Sequence, residues 1–278
     1  STPCKALYVC NDCKEPFDYF KCLSLRRLFF SIQNGTGKIV FNRPDVLNSF
    51  NAEMAKAFQS ALDECAANKE VRCILITGEG RAFSAGQDLS ATIAPGVKIK
   101  QIVEDQYNPI ILKLRQLEKP VVCAVNGVAA GAGANVAFAC DITLAASSAG
   151  FIQAFSKIGL IPDSGGTFFL PRLIGLQRAT ALTMLGDKIT AQQALEYGLI
   201  YKVLPDESLM AEAEKTAEKL ASMPTKGLGY TKRLLNASLN NNLSEQLKTE
   251  GDMQEAAGKT YDYNEGVKAF LEKRKPVF

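Results

Sequence analysis

Two glycine-rich turns and one isolated acid are the parts of this chain that could carry out chemistry. The first turn, Gly127–Asn135, follows the strand-like run Pro120–Val125 and opens a helix of small residues. The first N–H groups of a helix lack partners within the helix, and glycine lets a ligand approach the backbone closely. We therefore expect this turn to hold an oxyanion.

The isolated acid is Asp163, which lies within a second turn, Gly159–Thr167. A carboxylate in such a turn could move a proton while the first turn stabilises the charge that this creates. Because Ser164, Gly165 and a helical run follow, Asp163 could equally be the N-cap of that helix. Both roles stay open from these residues alone.

Alternating strands and helices are expected to position these turns. A strand hairpin over Ser31–Phe41 precedes an amphipathic helix over Asn51–Asn68, and a buried strand over Val71–Thr77 follows. A further small-residue turn, a loop over Ala91–Gly96 and a helix over Ile99–Leu117 come next. Strand, turn and helix recurring in this order predict an α/β fold built as a spiral of similar units.

The last part of the chain is predicted to be helical. Thr190 and Gln193 fit a capping box, and Gly198 fits the residue that ends the helix begun by this box. Helical periodicity then extends over Glu207–Met223, Lys226–Leu239, Ser244–Ala257 and Asn264–Lys273. We interpret Asp206–Phe278 as a helical C-terminal subdomain that caps a pocket or makes oligomer contacts.

The composition excludes several classes of function. Of the 278 residues, 47% are hydrophobic and 22% are charged, which is typical of a globular protein with a substantial core. The net charge of +3 is too small and too scattered to indicate a nucleic-acid partner, and no apolar run is long enough to span a membrane. Since the chain has no histidine, it cannot use Ser-His-Asp or Cys-His catalysis or histidine-ligated metals.

The cysteines form two groups. One group lies in apolar surroundings and is predicted to be buried and free, which favours a reducing compartment such as the cytoplasm: Cys65, Cys73, Cys123 and Cys140. The other group crowds the N-terminal region: Cys4, Cys10, Cys13 and Cys22. The Cys10-x-x-Cys13 spacing could bind zinc, but the outer spacings are irregular. We expect no metal site and interpret residues 1–30 as a leader or appendage outside the fold, with no clear targeting signal.

Several short motifs follow one another in an informative order: Asn42-Arg43-Pro44, Phe83–Leu89, Ala124–Gly127, Ala139-Cys140-Asp141, Gly159–Pro162, Gly165–Thr167 and Phe270–Arg274. On these motifs the sequence from about Ser31 to Phe278 resembles the enoyl-CoA hydratase/isomerase (crotonase) superfamily. The resemblance implies a crotonase-like spiral of ββα units with a helical C-terminal subdomain, assembled as a homotrimer or a dimer of trimers. It also implies an acyl-CoA thioester substrate, no cofactor besides the coenzyme A of that substrate, and no nucleic-acid or membrane partner.

The resemblance assigns roles to residues of the turns. It implies that the backbone N–H groups of Ala85 and Ala132 hold the thioester oxygen, since an enolate forms readily only when preorganised donors stabilise it. Gly86 and Gly131 are expected to lie beside these donors in the substrate-binding site. In this context Asp163 is expected to be catalytic rather than an N-cap.

Two departures from the family pattern decide the predicted reaction. Hydratases of the family use two glutamates to position and split water, and those positions are Asn135 and Phe155 here. Neither can act as a general base, so Asp163, with a pKa raised by apolar neighbours, is expected to act alone as an isomerase would require. The segments Gly127–Asn135 and Pro162–Thr167 most resemble the family's isomerases of a CoA-bound ring epoxide in phenylacetate degradation, which also shift a 3-enoyl double bond to C2. A hydratase and a catalytically silent acyl-CoA-binding module stay as alternatives.

The remaining site predictions concern binding. Asn135 is expected to hydrogen-bond the substrate or the catalytic acid, or else to close a buried polar network. Asp88 is expected to cap its turn beside the substrate. Arg43 is a candidate for the CoA phosphates, and the resemblance implies that Phe270 and Lys273 contact CoA across a subunit interface.

Overall fold

The computed structural model describes residues 7–9, 16–18, 27–92 and 96–278. Its strands are β1 (Leu7–Val9), β2 (Pro16–Asp18), β3 (Leu28–Gln33), β4 (Thr36–Phe41), β5 (Cys73–Gly78), β6 (Ala82–Ser84), β7 (Val121–Val125), β8 (Val128–Ala130), β9 (Ile142–Ala146), β10 (Gly150–Ile152), β11 (Lys188–Thr190) and β12 (Lys202–Leu204). Its helices are α1 (Ala52–Ala67), α2 (Ile99–Ile102), α3 (Asn108–Gln116), α4 (Ala132–Ala139), α5 (Gly166–Leu185), α6 (Ala191–Tyr197), α7 (Leu209–Ala221), α8 (Thr225–Ser238), α9 (Leu243–Gly258) and α10 (Tyr261–Leu271).

The larger sheet has the strand order β12-β9-β7-β5-β4-β3. Its neighbouring strands are parallel except for β3 and β4, which form an antiparallel hairpin. The central strands β5 and β7 are buried along their whole length, which explains their continuous apolar sequence. The hairpin predicted over Ser31–Phe41 is confirmed, but it begins at Leu28, whose side chain is in the core. Residues 28–30 therefore belong to the fold and not to an appendage.

The smaller sheet, with the order β11-β10-β8-β6, positions the glycine-rich turns. Strands β6 and β8 are parallel neighbours, so the chain leaves both of them at the same edge of the sheet. Helix α4 begins one residue after β8, and all of its residues are buried; most of them are glycine or alanine, which lets the surrounding elements pack closely. This topology brings the turn after β6 and the turn after β8 side by side.

Helix α7 completes the core of the larger sheet. Its face formed by Leu209, Ala213, Ala217 and Ala221 is buried, and it packs against β4, β5, β7 and β9. The boundary predicted at Asp206 therefore falls before a helix that belongs to the core layer. Helices α8, α9 and α10 extend beyond this layer.

A buried ion cluster fastens α8 to the core. The ammonium of Lys232 lies 2.8 Å from Asp141 Oδ2, and Arg115 Nη1 lies 3.0 Å from Asp141 Oδ1. The backbone N–H of Val121 also donates to this carboxylate, at 2.9 Å. Burial lowers the pKa of Lys232, whereas the charge of Asp141 opposes that shift. Because the cluster joins β7, the start of β9 and α8, removing the Asp141 carboxylate would leave the buried ammonium of Lys232 without an anionic partner.

The helix predicted over Ile99–Leu117 is interrupted. Helices α2 and α3 are joined by a π-turn, Val103–Tyr107, in which the N–H of Asn108 donates to the carbonyl of Val103. Gln59 Nε2 donates to the carbonyls of Asp105 and Gln106 at 2.9 and 3.0 Å. These bonds satisfy backbone groups that a helix of uniform pitch would have paired internally.

The predicted helix ends are confirmed elsewhere. The side chain of Asn51 accepts from the backbone of α1, and Thr190 and Gln193 form the predicted capping box of α6. Gly198 ends α6 in the left-handed conformation. Within the predicted loop Ala91–Gly96, residues 93–95 lie outside the described residues. No helix of the described segments is long and apolar enough to cross a membrane.

Candidate functional site

The prediction that Ala85 supplies an oxyanion donor is wrong. Its backbone N–H donates to the carbonyl oxygen of Leu47 at 2.8 Å. Leu47 and Asn48 both have left-handed backbone, with φ of 53° and 54°, and this unusual pair aims the Leu47 carbonyl at the turn after β6. An N–H that is already bonded inside the fold is not free to hold a ligand.

The free donor of this turn is instead the backbone N–H of Gln87. The N–H of Phe50 donates to the Gly86 carbonyl at 2.6 Å, and the Phe50 carbonyl accepts from Asp88 N–H at 2.8 Å. The N–H of Gly86 donates to Ser84 Oγ at 3.2 Å. Gln87 therefore comes between two residues, Gly86 and Asp88, whose N–H groups are bonded. Its own N–H has no partner within the part of the chain that the structure describes.

Asp88 caps this turn, as predicted. The N–H and hydroxyl of Ser90 donate to Asp88 Oδ1 at 3.2 and 2.6 Å, and Arg43 Nη2 lies 2.9 Å from Oδ2. The hydrogen bonds from Ser90 and then from Arg43 lower the pKa of Asp88. Arg43 also donates to the Ser49 carbonyl at 2.5 Å, and its side chain is only 10% exposed. Arg43 therefore stabilises this turn through its bonds to Asp88 and Ser49, contrary to the prediction that it binds a CoA phosphate.

The second donor is the predicted one, the backbone N–H of Ala132. Ala132 is the first residue of α4, where an N–H has no partner inside the helix. The preceding Gly131, with φ 53° and ψ −126°, donates its own N–H to Ile152. A Cβ built on Gly86 would lie 2.7 Å from the Ala130 carbonyl oxygen and 3.4 Å from Ala132 N. The two turns are thus in contact, and their free donors lie close to each other.

Asp163 is half-buried just before α5. Ser164 Oγ donates to Asp163 Oδ1 at 2.9 Å. Burial raises the pKa of Asp163, and the hydrogen bond from Ser164 opposes part of that shift. The N-cap residue of α5 is Gly165, which makes no side-chain capping bond, so the N-cap alternative for Asp163 is wrong. A carboxyl group with a raised pKa is suited to take up a proton and return it.

Asn135 closes a buried polar network behind this acid. Its Nδ2 donates to the backbone carbonyl of Asp163 at 2.9 Å, and its Oδ1 accepts from Gln153 Nε2 at 2.9 Å. Both ends of the amide therefore have partners inside the fold, which agrees with a buried network and with the predicted bond to Asp163, made here to its backbone; contact with the substrate stays a prediction. Gln153 had not been predicted, and its Oε1 has no partner in the described residues. The network ties α4 and the chain after β10 to the turn that carries Asp163.

Phe155 lies beside the second turn. It is buried within the short 3-10 turn Ala154–Ile158, and its ring atom Cζ would be 3.7 Å from a Cβ built on Gly131. The ring therefore occupies space beside Gly131, and the predicted exclusion of water by it stays a prediction.

Tyr107 is a site residue that periodicity did not reveal. It lies within the helix predicted over Ile99–Leu117, at helical spacing from Ile110, Ile111 and Leu114, and its side chain is only 1% exposed. Its hydroxyl donates to Gln87 Oε1 at 2.6 Å. Burial, and then the charges of Asp163 and Asp88, raise the pKa of Tyr107. A tyrosine on an otherwise aliphatic face could have signalled this role, because a buried phenol requires a hydrogen-bond partner.

Phe270 and Lys273 lie at the surface near the end of α10. The side chain of Phe270 is 82% exposed, and Lys273 follows the helix with a left-handed φ of 54°. Other exposed apolar residues of α9 and α10 lie in the same region of the chain: Leu243, Leu247, Tyr261, Val267 and Leu271. The structure does not bury Phe270 in a pocket of its own chain, so its contact with CoA stays a prediction.

Metal ligands do not cluster in the described residues. Within them, no group of three or more His, Cys, Asp or Glu side chains could hold an ion. The predicted buried free thiols are confirmed, and burial raises the pKa of both Cys65 and Cys73 to about 12. The four N-terminal cysteines, Cys4, Cys10, Cys13 and Cys22, lie outside the described residues.

Two protein families match different parts of this chain. The PaaD zinc beta ribbon domain matches residues 1–21, a range that includes the antiparallel pair β1 and β2. The enoyl-CoA hydratase/isomerase family matches residues 31–278, which contain both glycine-rich turns and Asp163.

Individual relatives agree with the second match. The chain is 47% identical to the 1,2-epoxyphenylacetyl-CoA isomerase of Escherichia coli over 89% of its own length and 96% of the relative's. It is 41% identical to a probable enoyl-CoA hydratase of Rhodobacter capsulatus, over 92% and 99% of the two chains. The crystal structure of an enoyl-CoA hydratase from Bacillus anthracis superposes with a TM-score of 0.85 at 33% identity, covering 91% of this chain and 98% of that one. The chain belongs to the enoyl-CoA hydratase/isomerase (crotonase) family.

Proposed function

We propose that the protein is an acyl-CoA isomerase in which Asp163 moves a proton and a thioester enolate is the intermediate. The observation that carries the proposal is the pairing of two free backbone donors with a half-buried acid whose pKa is raised by burial. No separate cofactor is needed, because coenzyme A is part of the substrate.

The two donors give the enolate its stability. When a proton leaves carbon, the electron pair moves to the thioester oxygen, which becomes negatively charged. The N–H groups of Gln87 and Ala132 would hold this oxygen, and preorganised donors of this kind contribute about 3–4 kcal/mol each to catalysis. The donors are backbone groups, so residues with chemically different side chains, here glutamine and alanine, can supply them.

Asp163 supplies the proton chemistry. In the shift of a 3-enoyl thioester, the carboxylate would remove a proton from carbon 2, and the resulting dienolate would be reprotonated on carbon 4. The double bond then lies between carbons 2 and 3, and no water is added or lost. The raised pKa of Asp163 makes the carboxylate a stronger base and allows its protonated form to return the proton.

Hydration is the competing reaction, and relatives named as hydratases keep it open. The bonds of Asn135 to Asp163 and Gln153, and the ring of Phe155 beside Gly131, argue against a second base or a bound water at this place. The alternative that is not an enzyme is a protein that binds acyl-CoA and catalyses no reaction.

We propose 1,2-epoxyphenylacetyl-CoA as the principal substrate, on the basis of the similarity to the Escherichia coli isomerase. The test is a panel assay with this epoxide, aliphatic 3-enoyl-CoAs and crotonyl-CoA. We expect isomerisation of the epoxide and slower isomerisation of the 3-enoyl-CoAs. Rapid hydration of crotonyl-CoA would favour the hydratase, and acyl-CoA binding without turnover of any member would favour the silent module.

We also propose that the chain self-associates as a homotrimer or a dimer of trimers through its C-terminal helices. The proposal rests on the exposed apolar side chains of α9 and α10, of which Phe270 is 82% exposed, because burying such side chains against another copy is favourable.

The N-terminal segment has a second proposed role, which is to bind zinc. Residues 1–21 match the PaaD zinc beta ribbon domain, and β1 and β2 flank the Cys10-x-x-Cys13 sequence. Thiolates are preferred ligands of structural zinc, and Cys4, Cys10, Cys13 and Cys22 are the candidates. Such an ion would stabilise the segment and take no part in the isomerisation. Zinc content measured for the chain and for a Cys10→Ser/Cys13→Ser variant tests this, since equal contents would contradict the proposal.

A further inference from the structure

We propose that Tyr107 is a positioning residue for the oxyanion-binding turn, acting through the side chain of Gln87. This inference rests on the proposed function of that turn. The phenol of Tyr107 donates to Gln87 Oε1 at 2.6 Å, and Gln87 Nε2 donates to the Asp88 carbonyl at 3.2 Å. The Gln87 side chain is thus held at both ends, while the backbone N–H of the same residue stays free for the ligand.

The bond from Tyr107 adds to the backbone bonds that hold the rest of the turn. Ala85 and Asp88 are anchored by backbone bonds to Leu47 and Phe50, on either side of Gln87. The peptide group that carries the Gln87 N–H is held at its other end, because the Gly86 carbonyl of the same planar peptide accepts from Phe50 N–H at 2.6 Å. The side-chain bond from Tyr107 ties the turn to a second element, the π-turn, and so limits small shifts of the Gln87 N–H that the backbone bonds alone permit.

The backbone conformation before Tyr107 differs from a regular helix at the point where its side chain contacts Gln87. The π-turn Val103–Tyr107 adds a residue to the helix, and each residue of a regular helix turns the next by about 100°. The insertion therefore rotates the residues before it relative to those after it, and insertions of this kind often occur at functional sites. Gln59 donates to two carbonyls of the turn, and the Tyr107 ring packs edge-on against Phe50 with centroids 5.9 Å apart.

The surroundings of Tyr107 keep its hydroxyl a neutral donor. The ring is 1% exposed, and the acids that face it, Asp163 and Asp88, disfavour a phenolate. Tyr107 is therefore expected to hold Gln87 at every pH at which the protein is folded, without exchanging a proton in the reaction. A positioning residue of this kind changes the strength of the oxyanion contact and leaves the pH dependence of the base unchanged.

The test compares Tyr107→Phe and Gln87→Met with Thr143→Val. The control removes a buried hydroxyl-to-carbonyl bond of 2.8 Å, from Thr143 to Ala137, away from both turns. We expect Tyr107→Phe to lower kcat about three- to tenfold with KM within about twofold, which is the size of one neutral hydrogen bond felt in the transition state. The control is expected to stay within about twofold of the parent.

A spectroscopic measurement separates this inference from the proposed function. The infrared carbonyl stretch of a saturated acyl-CoA, carbon-13 labelled at the thioester, reports the hydrogen bonds to that oxygen without any turnover. We expect binding to the parent protein to lower this frequency, and binding to Tyr107→Phe to lower it less. Because Gln87→Met removes the same bond from the other side, together with the bond to the Asp88 carbonyl, the double variant should lose no more than Gln87→Met alone.

Each outcome supports or overturns the inference. An equal frequency shift in Tyr107→Phe and the parent would overturn it, as would additive losses in the double variant or a changed pH profile. No shift in the parent would overturn both the inference and the proposed oxyanion site. A shift in the parent without isomerisation of any substrate would overturn the isomerase alone. Should Tyr107→Phe fail to fold, Gln87→Met carries the same comparison.

Discussion

Replacing Asp163 by asparagine removes the proposed base with little change of shape. Ser164 Oγ can still donate to the side-chain oxygen at this position, and Asn135 bonds to the backbone carbonyl of residue 163 rather than to its side chain. The turn should therefore keep its conformation. The change then isolates proton transfer from the structure that supports it.

The expected loss is large because one group carries the whole proton transfer. A positioned general base contributes about 10²–10⁴-fold to the rate. We expect kcat of Asp163→Asn to fall by that factor, equivalent to about 3–5 kcal/mol of transition-state stabilisation. The donors at Gln87 and Ala132 remain, so substrate affinity should change little.

The pH dependence gives a second signature. Asp163 must be ionised to accept a proton, so kcat/KM of the parent should rise with pH through the raised pKa of this carboxyl and then level off. Asp163→Asn should lack this rise.

The free energy of unfolding should change with pH in the opposite direction. Since burial disfavours the ionised form of Asp163, this residue lowers the stability of the fold at pH values above the ordinary pKa of an aspartate. The variant should be at least as stable as the parent at neutral pH, with the difference vanishing in acid.

The assay follows 3-enoyl-CoA isomerisation by the absorbance of the conjugated thioester, with urea unfolding measured alongside. Asp187→Asn, at an exposed aspartate, is the matched control and should behave like the parent. Activity of Asp163→Asn within about tenfold of the parent would refute the role of Asp163, because a general base contributes more than that.

Three further predictions follow from other contacts. Gly86→Ala should lower kcat/KM more than tenfold and stability by about 1–3 kcal/mol, measured by kinetics and urea unfolding, because φ is +87° and the new Cβ would meet the Ala130 carbonyl at 2.7 Å. Asp141→Asn should cost about 3–5 kcal/mol in urea unfolding, because it leaves the buried Lys232 without a carboxylate partner; a loss under about 1 kcal/mol would contradict this account. Phe270→Asp should shift the mass measured by light scattering toward the monomer, and an unchanged mass would argue against self-association through α10.

Local patterns predicted much of the fold. The alternation of apolar strands and amphipathic helices gave the order of the elements, and Asn51, Thr190 and Gly198 marked helix ends correctly because capping depends on neighbouring residues. The interruption at Val103–Tyr107 could not be predicted in this way. It depends on bonds from Gln59, which lies on another helix.

In the site as well, some residues could be predicted from their neighbours in the sequence, whereas others depend on contacts made by the tertiary fold. Asp163 and Ala132 could be singled out because a glycine-rich turn before a helix creates their surroundings locally. The choice between Ala85 and Gln87 depends on which N–H groups Leu47 and Phe50 occupy, and those residues lie in a different segment. The roles of Tyr107 and Gln153 likewise arise from partners that are brought close by the tertiary fold.

In the proposed mechanism, backbone groups bind the oxyanion and a side chain transfers the proton. This difference affects how such a protein can diverge in evolution. The proposed oxyanion donors are peptide groups, whose placement depends on a scaffold that tolerates few substitutions, as at Gly86 and Gly131. The proposed proton transfer depends on the side chain at position 163, and the side chains at positions 135 and 155 leave it without a second base; each of these side chains can be exchanged by a single substitution. A lineage can therefore acquire a new reaction while it keeps the same intermediate, because enolate stabilisation is inherited and the fate of the enolate is open to selection.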